Sequence, residues 1–269
     1  MMESLARMLN FNFRRVGLHF NHKENRIRCF PHVVNISVKT GLKYLTKAMV
    51  GEDDADFVSP EDVQEDDEQV PHDDADIDYL EVLEDDIIAM IRKLVNSIRA
   101  SDQRREALAE AIRSGNEANE YDPPIREVSL LRDVDTRWSS IYLMIDRFLE
   151  LYPYYRELGD LLFTDLQLRV VYDIREYLFL FHNVQQTVSA DKTPTLSVVL
   201  PVYEDLLTLL EKTQPLLRNL SHAFEASIRK LKEYLGYARE TKAYPLAMCT
   251  SYVLFHIILG WPCTNTSQS

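Results

Sequence analysis

The 269 residues are enough for one large domain or two small ones, and a hydrophobic fraction of 46% with 14 tyrosines supplies material for a core. The seven glycines argue against a glycine-rich phosphate loop and against a turn-dense all-β fold. The three cysteines (Cys29, Cys249 and Cys263) are odd in number and widely spaced, which predicts a reducing compartment without a disulfide framework. We see no secretory signal and no apolar stretch of about 18 residues, so we expect no membrane span.

The net charge of −13 is unevenly distributed along the chain. Residues 51–86 contain 18 Asp and Glu and no Lys or Arg, so the rest of the chain carries a charge of +5. Residues 1–50 alone carry a charge of +7. This basic segment is compatible with a polyanionic partner. The acidic run, with little apolar content and no regular period, predicts a disordered loop.

The N-terminal part predicts two helices separated by a short strand, in chain order Met1–Phe20, Asn25–Phe30 and His32–Met49. Pro31 fits the first turn of the second helix. An irregular acidic loop follows over Gly51–Asp78, and we expect order to return near Tyr79.

From there to residue 248 the apolar residues recur every three or four positions, which predicts a set of amphipathic helices. The first is a long helix with a break near Ser101, and a connector rich in turn residues follows it. The predicted helical segments are Val82–Arg113, the helix that starts at Trp138, Asp165–Ala190, Leu196–Lys212 and Leu216–Ala238.

Arg137 and Trp138 combine a forked cation and a large flat ring at the start of a helix that Asp135 or Thr136 can cap. Such a pair can hold a phosphate and stack on a base. It can also be a buried Trp that anchors the helix, with Arg137 paired to a nearby Asp. The residue types alone favour the packing interpretation and leave the binding interpretation open.

Cys29 and His32 are two potential metal ligands, but a zinc site needs four groups, or three and a water. His22 is near them in sequence, and no second Cys/His pair is, so we predict no zinc site. Asp133 and Asp135 are better suited to capping a helix than to holding a metal.

Five segments resemble hAT-superfamily DNA transposases, and they occur in that family's order. The first two are Arg26–Asn35, with its Cys-x2-His spacing, and Thr136–Met144, which is similar to the family's Thr-Arg-Trp-Asn-Ser segment. The other three are Pro194–Ser197, Lys230–Tyr234 and Ala243–Met248. The likeness covers roughly residues 1–248.

The resemblance implies a catalytic region with an RNase H-like fold that is interrupted by a large helical insertion. It assigns contact with DNA to Trp138 and His32, with Arg137 and Cys29 beside them and the basic Arg26 and Arg28 in the same segment. In the family, two Asp and one Glu hold Mg²⁺ or Mn²⁺ for cleavage and strand transfer. Those carboxylates fall outside the matched segments, and residues 249–269 match nothing in the family. We therefore expect no catalytic residue, no metal site and no transposase activity in this chain.

These observations predict a mainly α protein: a helical bundle like the transposase insertion, a short fragment of an RNase H-like α/β domain, and a disordered acidic loop. The predicted segments are a basic RNase H-like fragment (1–50), the acidic loop (51–80), the helical hAT-like region (81–248) and a divergent tail (249–269). The predicted function is residual DNA binding by a transposase remnant in the nucleus, without contact with membrane. The resemblance also implies a homo-oligomer for the full-length family. The alternative is a non-enzymatic helical module that binds another protein.

Overall fold

The computed structural model describes residues 27–46, 74–134, 137–155, 162–189 and 196–249, and this part of the chain is mainly helical. The α-helices are α1 (Phe30–Leu42), α2 (Asp74–Glu84), α3 (Ile87–Arg99), α4 (Asp102–Glu117), α5 (Trp138–Tyr155), α6 (Asp165–Val188), α7 (Val199–Thr213) and α8 (Ser221–Glu240). Two 3-10 turns, Gln214–Leu216 and Arg218–Leu220, join α7 to α8, and residues 243–249 are also helical. The described residues contain an isolated β-bridge between Val134 and Arg137 and no strand. The mainly α prediction is confirmed.

The first and last of these helices, α1 and α8, pack against each other in opposite directions. Arg28, just before α1, lies over the Tyr237 ring near the end of α8, whereas Tyr44, just after α1, stacks on His222 near the start of α8. Between these ends, the Ser227 hydroxyl donates to the Ser37 carbonyl at 2.8 Å. The pair therefore forms the centre on which the other helices assemble.

Close approach at this centre depends on Gly41. A Cβ atom at this position would lie 2.7 Å from the Ala223 carbonyl oxygen and would also meet the Tyr177 and Ser227 hydroxyls. Tyr177, from α6, is fully buried and lies 2.6 Å from the Ser227 hydroxyl. The missing side chain therefore lets α1, α6 and α8 share one buried hydrogen-bonded junction.

Asp86 ties the end of α1 to the start of α3. It has a left-handed backbone (φ 53°), and its side chain caps α3 by accepting from the Ala89 N–H at 3.0 Å. The same carboxylate accepts from the Thr46 hydroxyl at 2.8 Å. The next boundary comes at Ser101, whose hydroxyl caps α4, so the predicted break near Ser101 is confirmed.

The helices α5 and α6 form an antiparallel hairpin held by aromatic rings. Tyr142 stacks on His182 with ring centroids 4.4 Å apart, and at the other end Phe148 meets Phe163 at 5.1 Å. A capping box between Thr164 and Gln167 starts α6. These contacts fix where the residues at the start of α5 can lie.

Several predicted boundaries are wrong. Residues 27–29 are not a strand, because Cys29 is the N-cap of a helix that begins at Phe30, with Pro31 in its first turn. That helix ends at Leu42, before a turn over residues 43–45. The RNase H-like fragment predicted for residues 1–50 is not confirmed by its described part, residues 27–46.

The acidic loop predicted for residues 51–80 is wrong over its last residues, because helix α2 covers Asp74–Glu84 and buries Tyr79. The segment predicted as one helix over Leu216–Ala238 begins with two 3-10 turns, and α8 starts at Ser221. The predictions for Met1–Phe20, residues 51–73, the caps Asp135 and Thr136, Pro194 and Thr195 of the Pro194–Ser197 segment, and residues 250–269 lie outside the described residues. In the described ranges, no helix combines the length and the apolar content needed to cross a bilayer.

Replacing Gly41 by Ala should lower the free energy of unfolding by about 1–3 kcal/mol, because the added methyl group overpacks the α1–α8 junction. Gly236→Ala is a matched control in α8, since its Cβ would meet nothing within 4 Å. That variant should gain up to about 1 kcal/mol from the higher helix propensity of Ala. Urea unfolding followed by circular dichroism measures both changes. Equal effects of the two substitutions would contradict the close approach at Gly41.

The contact between α2 and α6 should make stability depend on pH. Tyr79 donates to the Asp173 carboxylate at 2.8 Å, and burial, opposed by this bond and by Arg169, raises the pKa of Asp173 above its ordinary value. An acid with a raised pKa contributes stability that is present below its ordinary pKa, ~3.9, and is lost as pH rises through the folded-state value. The Asp173→Asn variant should therefore gain stability relative to wild type as pH rises from the ordinary pKa of Asp to the raised pKa of Asp173 in the folded protein.

Tyr79→Phe should act in the opposite sense. It removes the donor that lowers the Asp173 pKa, so stability should fall more steeply with pH than in wild type. Thermal melts across pH 3 to 7 (roughly the range in which carboxylates titrate) compare the three proteins. Parallel stability curves for all three would rule out Asp173 as the titrating group.

Candidate functional site

The start of α1 exposes Cys29 and His32, two of the residues singled out from the sequence. Cys29 is the N-cap with an extended backbone, and its side chain makes no capping hydrogen bond. Its carbonyl accepts from the N–H groups of His32 and Val33, both at 3.1 Å. The first turn of α1 contains no acidic residue. The positive end of the helix dipole is therefore not offset by a carboxylate within that turn.

Arg28 is held beside this helix start by aromatic residues at the end of α8. Its guanidinium lies 4.2 Å from the centroid of the Tyr237 ring and 5.9 Å from that of Tyr234. The Tyr244 hydroxyl donates to the Arg28 carbonyl at 2.9 Å. A ring occupies the flat face of a guanidinium and leaves the N–H donors in its plane. Arg28 can thus be fixed in place and still donate to an anion.

Buried tyrosines lie under the same helix start. Tyr203 is fully buried, and its ring meets Phe30 edge-on at 4.6 Å. Its hydroxyl has no hydrogen-bond partner among the described residues. Burial is the main cause that raises the pKa of Tyr203, and it also raises the pKa of Tyr244. Both hydroxyls therefore stay protonated at neutral pH, so neither opposes an anion there with a negative charge.

Trp138 is the first residue of α5 and is only 2% exposed. Its ring meets Phe181 of α6 edge-on, with centroids 6.3 Å apart. The packing interpretation of Trp138 matches these contacts. A base could reach the ring face only if this contact opened, so the base-stacking role stays a prediction.

Arg137 is exposed and directly precedes α5. Its N–H donates to the Val134 carbonyl at 2.8 Å. The Ser140 hydroxyl contacts both residues, since it accepts from the Val134 N–H at 2.7 Å and donates to the Arg137 carbonyl at 2.6 Å. These bonds tie the backbone at Val134 and at Arg137 to Ser140, and the side chain of Arg137 is exposed.

Asp133, one of the two Asp residues near Arg137 in sequence, pairs with Arg92, and the other, Asp135, lies outside the described residues. Arg92, on α3, binds the Asp133 carboxylate through two nitrogens at 2.5 and 2.9 Å, and the Asp133 side chain is only 5% exposed. Sequence reasoning missed this pair because the two residues are 41 positions apart. The available signal was the position of Arg92, which lies four residues after the buried Ile88 and three before the buried Val95 and so shares a face of α3 with them.

The structure groups the sequence-predicted residues into two sets. Arg28, Cys29 and His32 lie together at the start of α1, whereas Arg137 and Trp138 lie at the start of α5. The two sets are joined by buried contacts that run from Trp138 through Phe181, Tyr177 and Ser227 to Ser37 of α1. Arg26 lies outside the described residues.

No group of three or more His, Cys, Asp or Glu side chains in the described ranges could hold a metal ion. The described carboxylates therefore do not fit the Mg²⁺ or Mn²⁺ site that the transposase family would imply. We assign no step through a metal to these residues.

The fold and these residues define a helical-bundle domain in which the start of α1 is exposed and has Arg28 beside it. Residues 27–162 match the family model of the ZBED1 RNase-like helical domain, which is related to hAT-type transposase-derived proteins. The match covers half of the chain, and the chain belongs to this family. The comparisons with curated proteins and with solved structures found no match.

Removing Arg92 should destabilise the domain strongly, because it leaves the buried Asp133 carboxylate without its partner. We expect Arg92→Leu to cost about 3–5 kcal/mol in the free energy of unfolding, and the double variant with Asp133→Leu to recover part of that loss. Arg126→Leu is the control, since Arg126 pairs with Glu150 at the surface and its loss should leave the unfolding midpoint unchanged. Equal midpoints for Arg92→Leu and Arg126→Leu would contradict the buried pair.

Proposed function

We propose that this hAT-related, transposase-derived domain binds DNA and that the start of α1 contacts the phosphate backbone. The observation that carries the proposal is the exposed, uncapped helix start at Cys29 and His32, with Arg28 held beside it. A guanidinium is a donor that phosphate oxygens prefer, and the positive end of the α1 dipole favours an anion beside it. The resemblance to transposases assigns DNA contact to the same residues, and it supports the nucleus as the compartment.

Arg137 supplies a second cationic point in this proposal. Its side chain is exposed, and its backbone carbonyl is held by the Ser140 hydroxyl, so the position of Arg137 at the start of α5 is defined before a phosphate binds. Trp138 contributes by anchoring the start of α5. Its base-stacking role, which the resemblance implies, would need the Phe181 contact to open and belongs to a DNA-bound form.

Binding of this kind should be weak and strongly dependent on salt. The chain carries a net charge of −13 because of the acidic run, so contact with DNA has to come from local positive groups while residues 51–86 are repelled. Each phosphate contact releases counterions and adds about 0.9 to the slope of log K against log salt. The number of contacts can therefore be counted from a salt titration.

The test is a titration of a short labelled DNA duplex with the full chain at several salt concentrations. Arg28→Gln and Arg137→Gln should each weaken binding and lower the salt slope by about 1, because each removes one phosphate contact. Arg126→Gln is the matched control: it removes an exposed arginine that is paired with Glu150 and belongs to neither set, so it should change neither quantity.

Circular dichroism spectra of the variants confirm that each one is folded, which matters because Arg28 also packs on Tyr237. If the full chain does not bind the duplex at low salt, the proposal is wrong, and a helical module that binds another protein is favoured. Equal loss in all three variants would indicate non-specific attraction, and the two proposed contacts would then be wrong.

A further inference from the structure

The outer side of α7 carries a stripe of side chains that face away from the bundle. Its members are Val202, Asp205, Leu209 and Lys212 of α7, with Val198 just before the helix and Leu216 in the 3-10 turn after it, and we call this set the α7 stripe. They are separated by alternating steps of four and three residues, the spacing that keeps side chains on one helix face. The backbone of Gln214, the residue after α7, keeps right-handed helical dihedral angles. The right-handed coil of the chain therefore continues into the 3-10 turn that contains Leu216.

Three apolar members of the stripe are unusually open to solvent. Val198 is 44% exposed, Leu209 43% and Leu216 79%, and Val202 is partly exposed. The opposite side of α7 is packed, because Tyr203, Leu206 and Leu210 are fully buried. A helix that has already buried one face does not need a second apolar stripe for its own fold, so this stripe suits another surface.

The charges on α7 divide between two sides. Glu204 and Glu211, toward α8, pair with Arg239 and Lys232 at 2.8 Å in both cases. Asp205 and Lys212 belong to the stripe, and within the described ranges neither has an ion-pair partner. The stripe therefore offers one negative and one positive group, placed on either side of Leu209.

The order Asp205, Leu209, Lys212 matches a second copy of itself that runs in the opposite direction. Two copies of the stripe laid antiparallel about a twofold axis at Leu209 bring Asp205 of one copy near Lys212 of the other, twice. The same arrangement brings Val202 near Leu216 of the second copy and Leu209 near its own symmetry mate. A parallel arrangement would instead place Asp205 against Asp205 and Lys212 against Lys212, which repel.

We propose that the α7 stripe is a homodimer interface in which two copies of this chain pair antiparallel through α7. The contact is one helix pair about 22 Å long over the 15 residues of α7 at 1.5 Å per residue, so it is smaller than a standard interface and its dimer dissociates on dilution. The charge pairs set the orientation of the two helices, and the apolar residues supply the buried area. The proposal uses none of the residues assigned to DNA contact.

Sedimentation velocity of the full chain from about 1 µM to about 1 mM measures the dimer, since weak interfaces dissociate within that range. Wild type should shift from monomer to dimer. Asp205→Lys should stay monomeric because it places two lysines against two lysines, and Lys212→Asp should stay monomeric because it places aspartates together. An equimolar mixture of these two variants should dimerise, since a mixed pair restores both opposite-charge contacts.

Leu209→Glu should also abolish the dimer, whereas Leu143→Glu should not. Leu143 is a matched control on α5, because it is 41% exposed and lies outside the stripe. Wild type that stays monomeric throughout the range overturns the proposal. So does a dimer that survives Leu209→Glu, or a mixture of the two charge variants that stays monomeric. DNA titrations with the same variants separate this proposal from the proposed function, because dimerisation can fail while binding remains.

Discussion

The fold depends on the close approach of α1 and α8 at Gly41. Only a residue without a side chain leaves room there for the Tyr177 hydroxyl and for the Ala223 carbonyl. This close approach allows buried hydrogen bonds between Tyr177, Ser227 and the Ser37 carbonyl, which join α6, α8 and α1. Buried polar groups stabilise only when they find partners, so this junction specifies one alignment of the helices. Both candidate sites lie at the ends of helices that this alignment fixes.

The helices themselves could be predicted from the sequence because apolar residues recur at helical spacing. The break at Ser101 was predictable for the same reason, since a capping residue interrupts the apolar pattern there. Asp86 was not predictable, because its left-handed backbone is stabilised by the hydroxyl of Thr46, 40 residues away. The first part of α2, before Tyr79, was missed because acidic residues alternate with others there, and the helix is tied to α6 by the buried Tyr79, which donates to Asp173.

The candidate site was predictable only in part. The Cys-x2-His spacing located the start of α1, and the structure places Cys29 and His32 there together. The positions of the aromatic residues around Arg28 come from α8 and from Tyr244, more than 200 positions later. Burial of Trp138 was one of two open interpretations, and the Phe181 ring that decides its position lies on a different helix. Residue types thus indicated which groups matter, while contacts between distant helices determined what those groups touch.

The pairing of α1 with α8 also has a consequence for synthesis of the protein. The Ser37 carbonyl and the Ser227 hydroxyl meet across 190 residues of chain. A nascent chain therefore exposes the part of α1 that packs on α8 until α8 has left the ribosome. Contacts between such distant segments slow folding and leave hydrophobic surface open to other molecules in the meantime. Shortened products that end before α8 would keep that part of α1 exposed permanently, which makes them substrates for chaperones and proteases.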